Sequence, residues 1–342
     1  MILNPPVFPE ESNCLAKKYL SQKIFKVIEH EKTDSGFTLT QAISSGIKNL
    51  DSSIGVYAGD AQSYKTFSLL FDPIICDYHG FSKDKTHQPN ISPLMLPSLD
   101  PGNNYIKSTR IRVARNLKGF SFPCHITLSQ RRELEKKIIS ALDRLKENLR
   151  GKYYSFESID EKELKQLKQK NVWFQKGDRF QNAAGINSDF PNCRGVFHSF
   201  DKRFMVWVNE EDHLRIISME RTSDISGVYN RLAGALLALN QTLEFSRDKT
   251  YGYLTSCPTN IGTSMRAGVH IRLEKLERNK DLLQHLSRAY HLQIRGTGGE
   301  KTTVENALFD ISNRQRLGIS ESGIIQNLHN GLLAIIKAEQ SL

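Results

Sequence analysis

The 342-residue sequence predicts an α+β fold in which a small, mainly helical N-terminal unit precedes a larger part built from strands and helices. Three observations carry this expectation. Before residue 79, helix-period apolar runs alternate with polar punctuation. From His79 to Asn104 the composition turns to Pro, Ser, Asp and Gly, with Pro89, Pro93, Pro97 and Pro101. Beyond it, two apolar strands are separated only by Asn209-Glu210-Glu211-Asp212-His213, a turn so short that it argues for an antiparallel hairpin over a doubly wound parallel sheet.

In chain order, helices are expected over Cys14 to Ile28, over Thr38 to Lys48 after Ser35-Gly36, and over Ser63 to Tyr78. The Pro-rich stretch reads as a linker or covering loop and places a boundary near Pro97, giving domains 1–96 and 97–342. Tyr105 to Arg115 alternates like a strand, and Leu134, Ile138, Leu142, Leu145 and Leu149 keep helical spacing. Phe204 to Val208 is a continuously apolar strand, followed by strand Leu214 to Met219 and the apolar helix Val228 to Leu243. Strand Val269 to Leu273, helix Leu276 to Tyr290, strand Leu292 to Arg295 and helix Ile324 to Ile336 complete the chain, without an internal repeat.

Lys and Arg number 47 against 37 Asp and Glu, a net charge of +10 that suits a polyanionic partner, either nucleic acid or a nucleotide phosphate. Lys162, Lys165 and Lys168 lie on an ordinary amphipathic helix, the pattern of a solvated face, so no nucleic-acid partner is expected. Five scattered cysteines, Cys14, Cys76, Cys124, Cys193 and Cys257, form no Cys-x-x-Cys pair, which fits reduced thiols in the cytoplasm. The opening Met1-Ile2-Leu3 run is too short for a signal peptide and Leu232 to Leu239 too short to span a bilayer, so no membrane partner is expected. No Walker or Rossmann glycine pattern is present.

Four segments could carry chemistry. Arg110 and Arg112 share one strand face while Ile111 and Val113 share the other, so two guanidinium forks could clamp oxyanions; a solvated basic face reads equally well. Glu210, Glu211 and Asp212 cluster beside a strand that must be buried, with Arg215 next; a polar hairpin tip is the plain alternative. Thr255-Ser256-Cys257-Pro258-Thr259-Asn260 to Arg266 sets a thiol, small hydroxyls and a cation between apolar runs, though a buried structural cysteine explains Cys-Pro alone. Arg295-Gly296-Thr297-Gly298-Gly299-Glu300 combines a cation, glycines and a carboxylate, as a closing loop or an ordinary turn would.

Taken together the motifs resemble the phosphagen (guanidino) kinases, and the arginine-specific branch in particular, along nearly the whole chain. They include Asn49 to Ala58, Leu70-Phe71-Asp72-Pro73, Ser108-Thr109-Arg110-Ile111-Arg112, Gly177-Asp178-Arg179-Phe180, Arg194-Gly195-Val196-Phe197-His198, Val206 to Met219, Cys257-Pro258-Thr259-Asn260, Arg266 to Ile271 and Asp310-Ile311-Ser312-Asn313. The resemblance implies a small all-helical N-terminal domain and a large domain whose antiparallel sheet is flanked by helices. It implies reversible transfer of the ATP γ-phosphoryl to a guanidino nitrogen, with Mg²⁺ accompanying ATP, no metal-ligating side chains and a monomer. It assigns ATP phosphates to Arg110, Arg112, Arg215, Arg266 and Arg295, counts Ser108 among the ATP-binding residues, and places His270 and Asp310, with Arg194, at or near the adenosine end. Glu211 and Glu300 would grip the guanidinium, with Cys257 as a thiolate tuning it, and Ser53, Ile54, Gly55 and Tyr57 would form the specificity loop; Asp51 and Arg179 resemble an interdomain ion pair. Lombricine and taurocyamine are alternative acceptors. The sequence departs from the family pattern at Asn171, Lys301, Thr222-Ser223 and Asn306-Ala307.

Overall fold

A computed structural model describes residues 8–169, 172–296 and 306–342. The first part is helical: α1 (Leu15–Tyr19), α2 (Gln22–Ile28), α3 (Leu39–Lys48), α4 (Ser63–Thr66) and α5 (Ser68–His79). Two predicted helices are each broken in two. Ser21 interrupts the first because its hydroxyl accepts from Ile24 N and caps a new helix, and the second breaks at Phe67. Thr38 and Gln41 close a reciprocal capping box at the start of α3. Gly80, at φ 60°, ends α5 in the left-handed conformation that glycine adopts without strain.

The Pro-rich stretch is a strap laid across the remainder. Asn230 both donates to Leu94 O at 2.8 Å and accepts from Leu94 N at 2.9 Å, Ser226 Oγ accepts from Leu96 N, and Glu321 accepts from Asn90 N. Ile91, Leu94, Leu96 and Leu99 press onto the main core.

Beyond the strap run β1 (Ile106–Arg115), α6 (Leu128–Leu142), β2 (Gly151–Ser155), α7 (Glu161–Gln169), α8 (Arg179–Ala183), β3 (Gly195–Ser199), β4 (Phe204–Val208), β5 (Leu214–Glu220) and α9 (Ile225–Asn240). The two-residue strands β6 (Arg247–Asp248) and β7 (Gly252–Tyr253) follow, then β8 (Met265–Arg272), α10 (Lys280–Ala289), β9 (Leu292–Gly296), β10 (Leu308–Asn313) and α11 (Glu321–Ser341). Among the described residues eight strands form one antiparallel sheet in the order β2-β3-β4-β5-β1-β8-β10-β9. The hairpin expected across residues 209–213 is present as β4–β5. Helix α9 begins at Ile225 because the Asp224 carboxylate caps it, and α10 only at Lys280, where Asn279 does the same. Strands β2, β3 and β10 were not expected.

One sheet face buries Ile111, Val113, Val206, Ile216, Ala267, Val269 and Ile311 against α6, α9 and α11. A second core gathers α2 to α5 and draws in Phe122, Ile186, Leu254, Cys257 and Ile261 from the later part of the chain. Among the described residues no helix is long and apolar enough to cross a membrane.

Candidate active site

Strand alternation and register decide which side chains meet. On β1, Ile111 and Val113 enter the core, so Arg110 and Arg112 face the other way. Arg112 lies directly opposite Arg266, Ser108 opposite His270, and Asp310 stands between His270 and Arg295. Arg215 is opposite Ala114 on one side and Trp207 on the other. The residues expected at the nucleotide, Ser108, Arg110, Arg112, Arg215, Arg266, His270, Arg295 and Asp310, therefore share a single sheet face.

Among the described residues the five arginines of that face outnumber the carboxylates paired with them, Glu210, Glu211 and Asp310. Arg266 donates to Asp310 at 2.7 Å and Ser312 Oγ at 3.2 Å, and Arg295 to Gln293 Oε1 at 2.8 Å. Arg215 meets Glu210 at 2.8 Å and Glu211 at 3.2 Å, and lies 5.4 Å from the Trp207 ring centre. No carboxylate among the described residues reaches Arg112 within ion-pair distance. Burial, then the charges of Arg215 and Arg266, pull Arg110 down to about 10; burial with Arg215, Arg110 and Arg266 pulls Arg112 well below its ordinary value. Guanidinium groups stay protonated at neutral pH all the same, so the described residues of the face carry more positive than negative charge, for which oxyanions are the complementary ligand.

Two turns border this face, joined by a buried carboxylate. In the β4–β5 turn, Asn209 takes φ 59° and its N–H donates to His213 O at 2.9 Å. The three consecutive acids then separate in role. Glu210 pairs with Arg215, and Glu211 turns into the cleft with its side chain 12 % exposed. Asp212, fully enclosed, accepts from Asn116 Nδ2 at 2.6 Å and Ser256 N at 2.7 Å, tying the Glu211 turn to the Cys257 turn. Burial, opposed by Arg215, pushes Glu211 up to about 7. The polar-tip alternative therefore fails for this segment.

Cys257 lines the same cleft, its Sγ 3.1 Å from Thr259 Oγ1. Burial and the Glu211 carboxylate push its thiol up to about 12, which favours the neutral thiol over the thiolate that the family resemblance implies. No cation hydrogen-bonds the sulfur among the described residues. The turn is braced by the helical unit: Tyr64 donates to Thr255 O at 2.7 Å, Ala58 N to Ser256 O at 2.8 Å, and His79 Nε2 meets Pro258 O at 2.9 Å.

The cleft holds about 1200 Å³, with Ser53, Ile54 and Tyr57 on one wall, Glu211 and Cys257 at its floor, and Arg112, Arg266 and Arg295 toward the sheet. Gly55 does not line it. At φ 74° it packs on Cys14, whose Sγ would lie 2.7 Å from any Cβ placed there. Leu15 N and Ala16 N donate to Ser53 O and Ile54 O, so the loop is pinned from behind. Asp51 and Arg179 form an exposed ion pair across the mouth.

Glu300, Lys301 and Asn171 lie outside the described residues. Arg194 is buried away from the cleft, donating to Ile186 O at 2.8 Å and Ser188 O at 3.0 Å, which corrects its placement near the adenosine end. Thr222 and Ser223 anchor the strap base, Ser223 Oγ donating to Asp100 O at 2.7 Å. Sequence reasoning missed Tyr78, His79, His291 and Arg316 on the cleft wall. Arg316 alone had a signal, the Arg-Gln-Arg triplet directly after β10.

The family model of the ATP:guanido phosphotransferase C-terminal catalytic domain matches residues 133–342, and that of the N-terminal domain residues 10–76. An arginine kinase of Limulus polyphemus is 44 % identical over 97 % of this chain and 94 % of its own length. An arginine kinase of Anthopleura japonica is 47 % identical over 99 % of this chain, which spans 48 % of that longer protein. Among solved structures, a lombricine kinase superimposes with TM-score 0.93 at 33 % identity, covering 98 % of this chain and 94 % of that one. The duplicated taurocyamine kinase of Schistosoma mansoni with transition-state analogue components gives TM-score 0.90 at 37 % identity, covering 96 % of this chain and 46 % of that one. With both family models matched and relatives this similar along almost its full length, the chain belongs to the ATP:guanido phosphotransferase family.

Proposed function

We propose that this chain transfers the γ-phosphoryl of MgATP reversibly to the guanidino group of arginine, buffering ATP with a phosphagen. The observation that carries the reading is one cleft in which a buried carboxylate and a thiol adjoin a sheet face bearing five arginines. Phosphoryl transfer needs alignment and charge neutralisation more than covalent chemistry, and that is what such a face offers. Arg110, Arg112, Arg215, Arg266 and Arg295 would hold the phosphates, with Ser108, His270 and Asp310 toward the nucleoside. The bond from the γ-phosphorus to the β,γ-bridging oxygen breaks as an N–P bond forms, and the guanidino proton leaves to a carboxylate. Glu211, with Glu300, would orient the guanidinium; at about 7, Glu211 sits where it can take that proton at neutral pH. Bringing a guanidinium beside Cys257 would set a hydrogen-bonding cation at its sulfur and favour the thiolate.

The ion enters as part of MgATP. The metal-compatible group found among the described residues, Glu135, Glu157 and Cys193, is not on the cleft wall. We further read the chain as a cytoplasmic monomer divided near Pro97; free cysteines throughout the described residues support the compartment, and light scattering checks the monomer.

Arginine as acceptor is supported by the arginine kinases among the relatives; lombricine or taurocyamine is the second reading, favoured by the solved structures. Incubation with MgATP and each guanidine in turn, with ³¹P NMR of the product, separates them. Turnover with taurocyamine or lombricine and none with arginine overturns the choice of acceptor, and no N–P product with any guanidine overturns the activity.

A further inference from the structure

Arg316 has no part in the scheme above, yet it grips the Cys257 turn from two directions. Its Nη1 donates to Thr259 O at 2.9 Å and to Asn260 Oδ1 at 2.7 Å. Its own carbonyl accepts from Thr263 N at 2.9 Å and Thr263 Oγ1 at 3.1 Å. Gly262, at φ +91°, passes so close that an added Cβ would fall 2.2 Å from Arg316 O. Thr259, whose carbonyl is held, is the residue whose hydroxyl meets Cys257 Sγ at 3.1 Å. On its other side the guanidinium borders a narrow pocket shared with Arg112, Arg215 and Arg266.

We propose that Arg316 is a positioning residue, holding the Cys257–Asn260 turn in register with the phosphate-facing arginines and so setting the distance between guanidino acceptor and γ-phosphoryl. The inference rests on the guanidino-kinase reading. A planar fork suits the task because a single guanidinium nitrogen reaches a carbonyl and an amide oxygen in one fixed geometry, which a flexible ammonium does not reproduce. Its charge has a second consequence. The Cys257 thiol is pushed up by burial and by the carboxylates of Glu211 and Asp212 and eased down by its hydrogen bonds with Thr259, and it interacts in turn with the phenols of Tyr57 and Tyr64 and with the Arg316 guanidinium, the cation in this set. Removing that cation disfavours the thiolate.

The test compares wild type, Arg316→Gln and Arg316→Lys by steady-state kinetics, thermal midpoint and the pH profile of iodoacetamide labelling at Cys257, followed by peptide mass mapping. Arg316→Gln is expected to lower kcat about ten- to a hundredfold, the order reached by a misplacement near 1 Å, with the KM for MgATP changing less than about threefold. Its labelling profile should move to higher pH. Arg316→Lys should restore the labelling profile while leaving kcat low. Full activity in Arg316→Lys, an unmoved labelling profile in Arg316→Gln, or a loss explained by a lower thermal midpoint each overturns the proposal. If wild type phosphorylates no guanidine, the kinase reading has failed instead, and the labelling profiles still decide whether Arg316 acts on the turn.

Discussion

Replacing Glu211 by Gln separates the function of that carboxylate from its cost to the fold. The side chain is 12 % exposed, and burial pushes its acid from an ordinary 4.5 up to about 7. A carboxyl group whose folded value is raised contributes stability that is complete below 4.5 and is lost as pH rises through 7. At 1.36 kcal/mol per pH unit the gap amounts to ~3 kcal/mol, an upper figure because the adjoining Asp212 carboxyl is raised by burial as well. Gln keeps the shape without the charge, and Arg215 keeps Glu210 at 2.8 Å. Glu211→Gln should therefore equal or exceed wild type in urea unfolding at pH 8, with the difference vanishing near pH 4.5. Phosphoryl transfer, read by coupled release of ADP with arginine as acceptor, should fall about a hundred- to a thousandfold, the usual effect of removing one charge-stabilising contact from a transition state. A variant less stable than wild type at pH 8, or one with undiminished kcat, refutes the reasoning.

Three further outcomes follow from the same geometry. Arg112→Gln relieves repulsion from Arg110, Arg215 and Arg266, so its melting temperature without nucleotide should rise while the increment given by MgADP shrinks; a lower melting temperature would show that the cations are balanced in some other way. Asp51→Asn breaks an ion pair whose partners are 38 % and 59 % exposed, so unfolding should change by less than ~1 kcal/mol, and a larger loss would contradict its surface character. His79, His87 and His213 are held near 4, 4 and 3 by burial, below their ordinary 6.5, so their stability is present above pH 6.5 and is lost as pH falls toward 4. His87→Phe, at a ring with neither nitrogen hydrogen-bonded, should flatten that acid limb without loss at pH 8, and an unchanged slope in pH-dependent urea melts counts against it.

How much was legible depended on the range of the interaction. Alternation along Arg110-Ile111-Arg112-Val113 shows on its own that two arginines leave the core together. That Arg112 meets Arg266 across β1 and β8, and that Asp310 lies between His270 and Arg295, depends on register between strands far apart in the chain, for which no local pattern exists. Helix boundaries erred where a single side chain decided them, as at Ser21 and Asn279. The acids Glu210, Glu211 and Asp212 read as one cluster because they adjoin in sequence; in the fold Glu210 and Glu211 share Arg215, while Asp212 is tied to Asn116 and Ser256. Arg194 was placed at the nucleotide end by motif alone, whereas its guanidinium is spent on loop carbonyls.

By itself the sequence determined the α+β class, the β4–β5 hairpin and the residue types of the site, because periodicity, short turns and long ordered motifs are properties of the chain. Tertiary structure alone decided that Glu211, Cys257, Arg112, Arg266 and Arg295 line one cleft, that Asp212 ties two distant turns, and that Arg316 grips the second of them. Those facts arise from strand register and from desolvation, which exist only once the sheet has closed and water has been excluded from the turns.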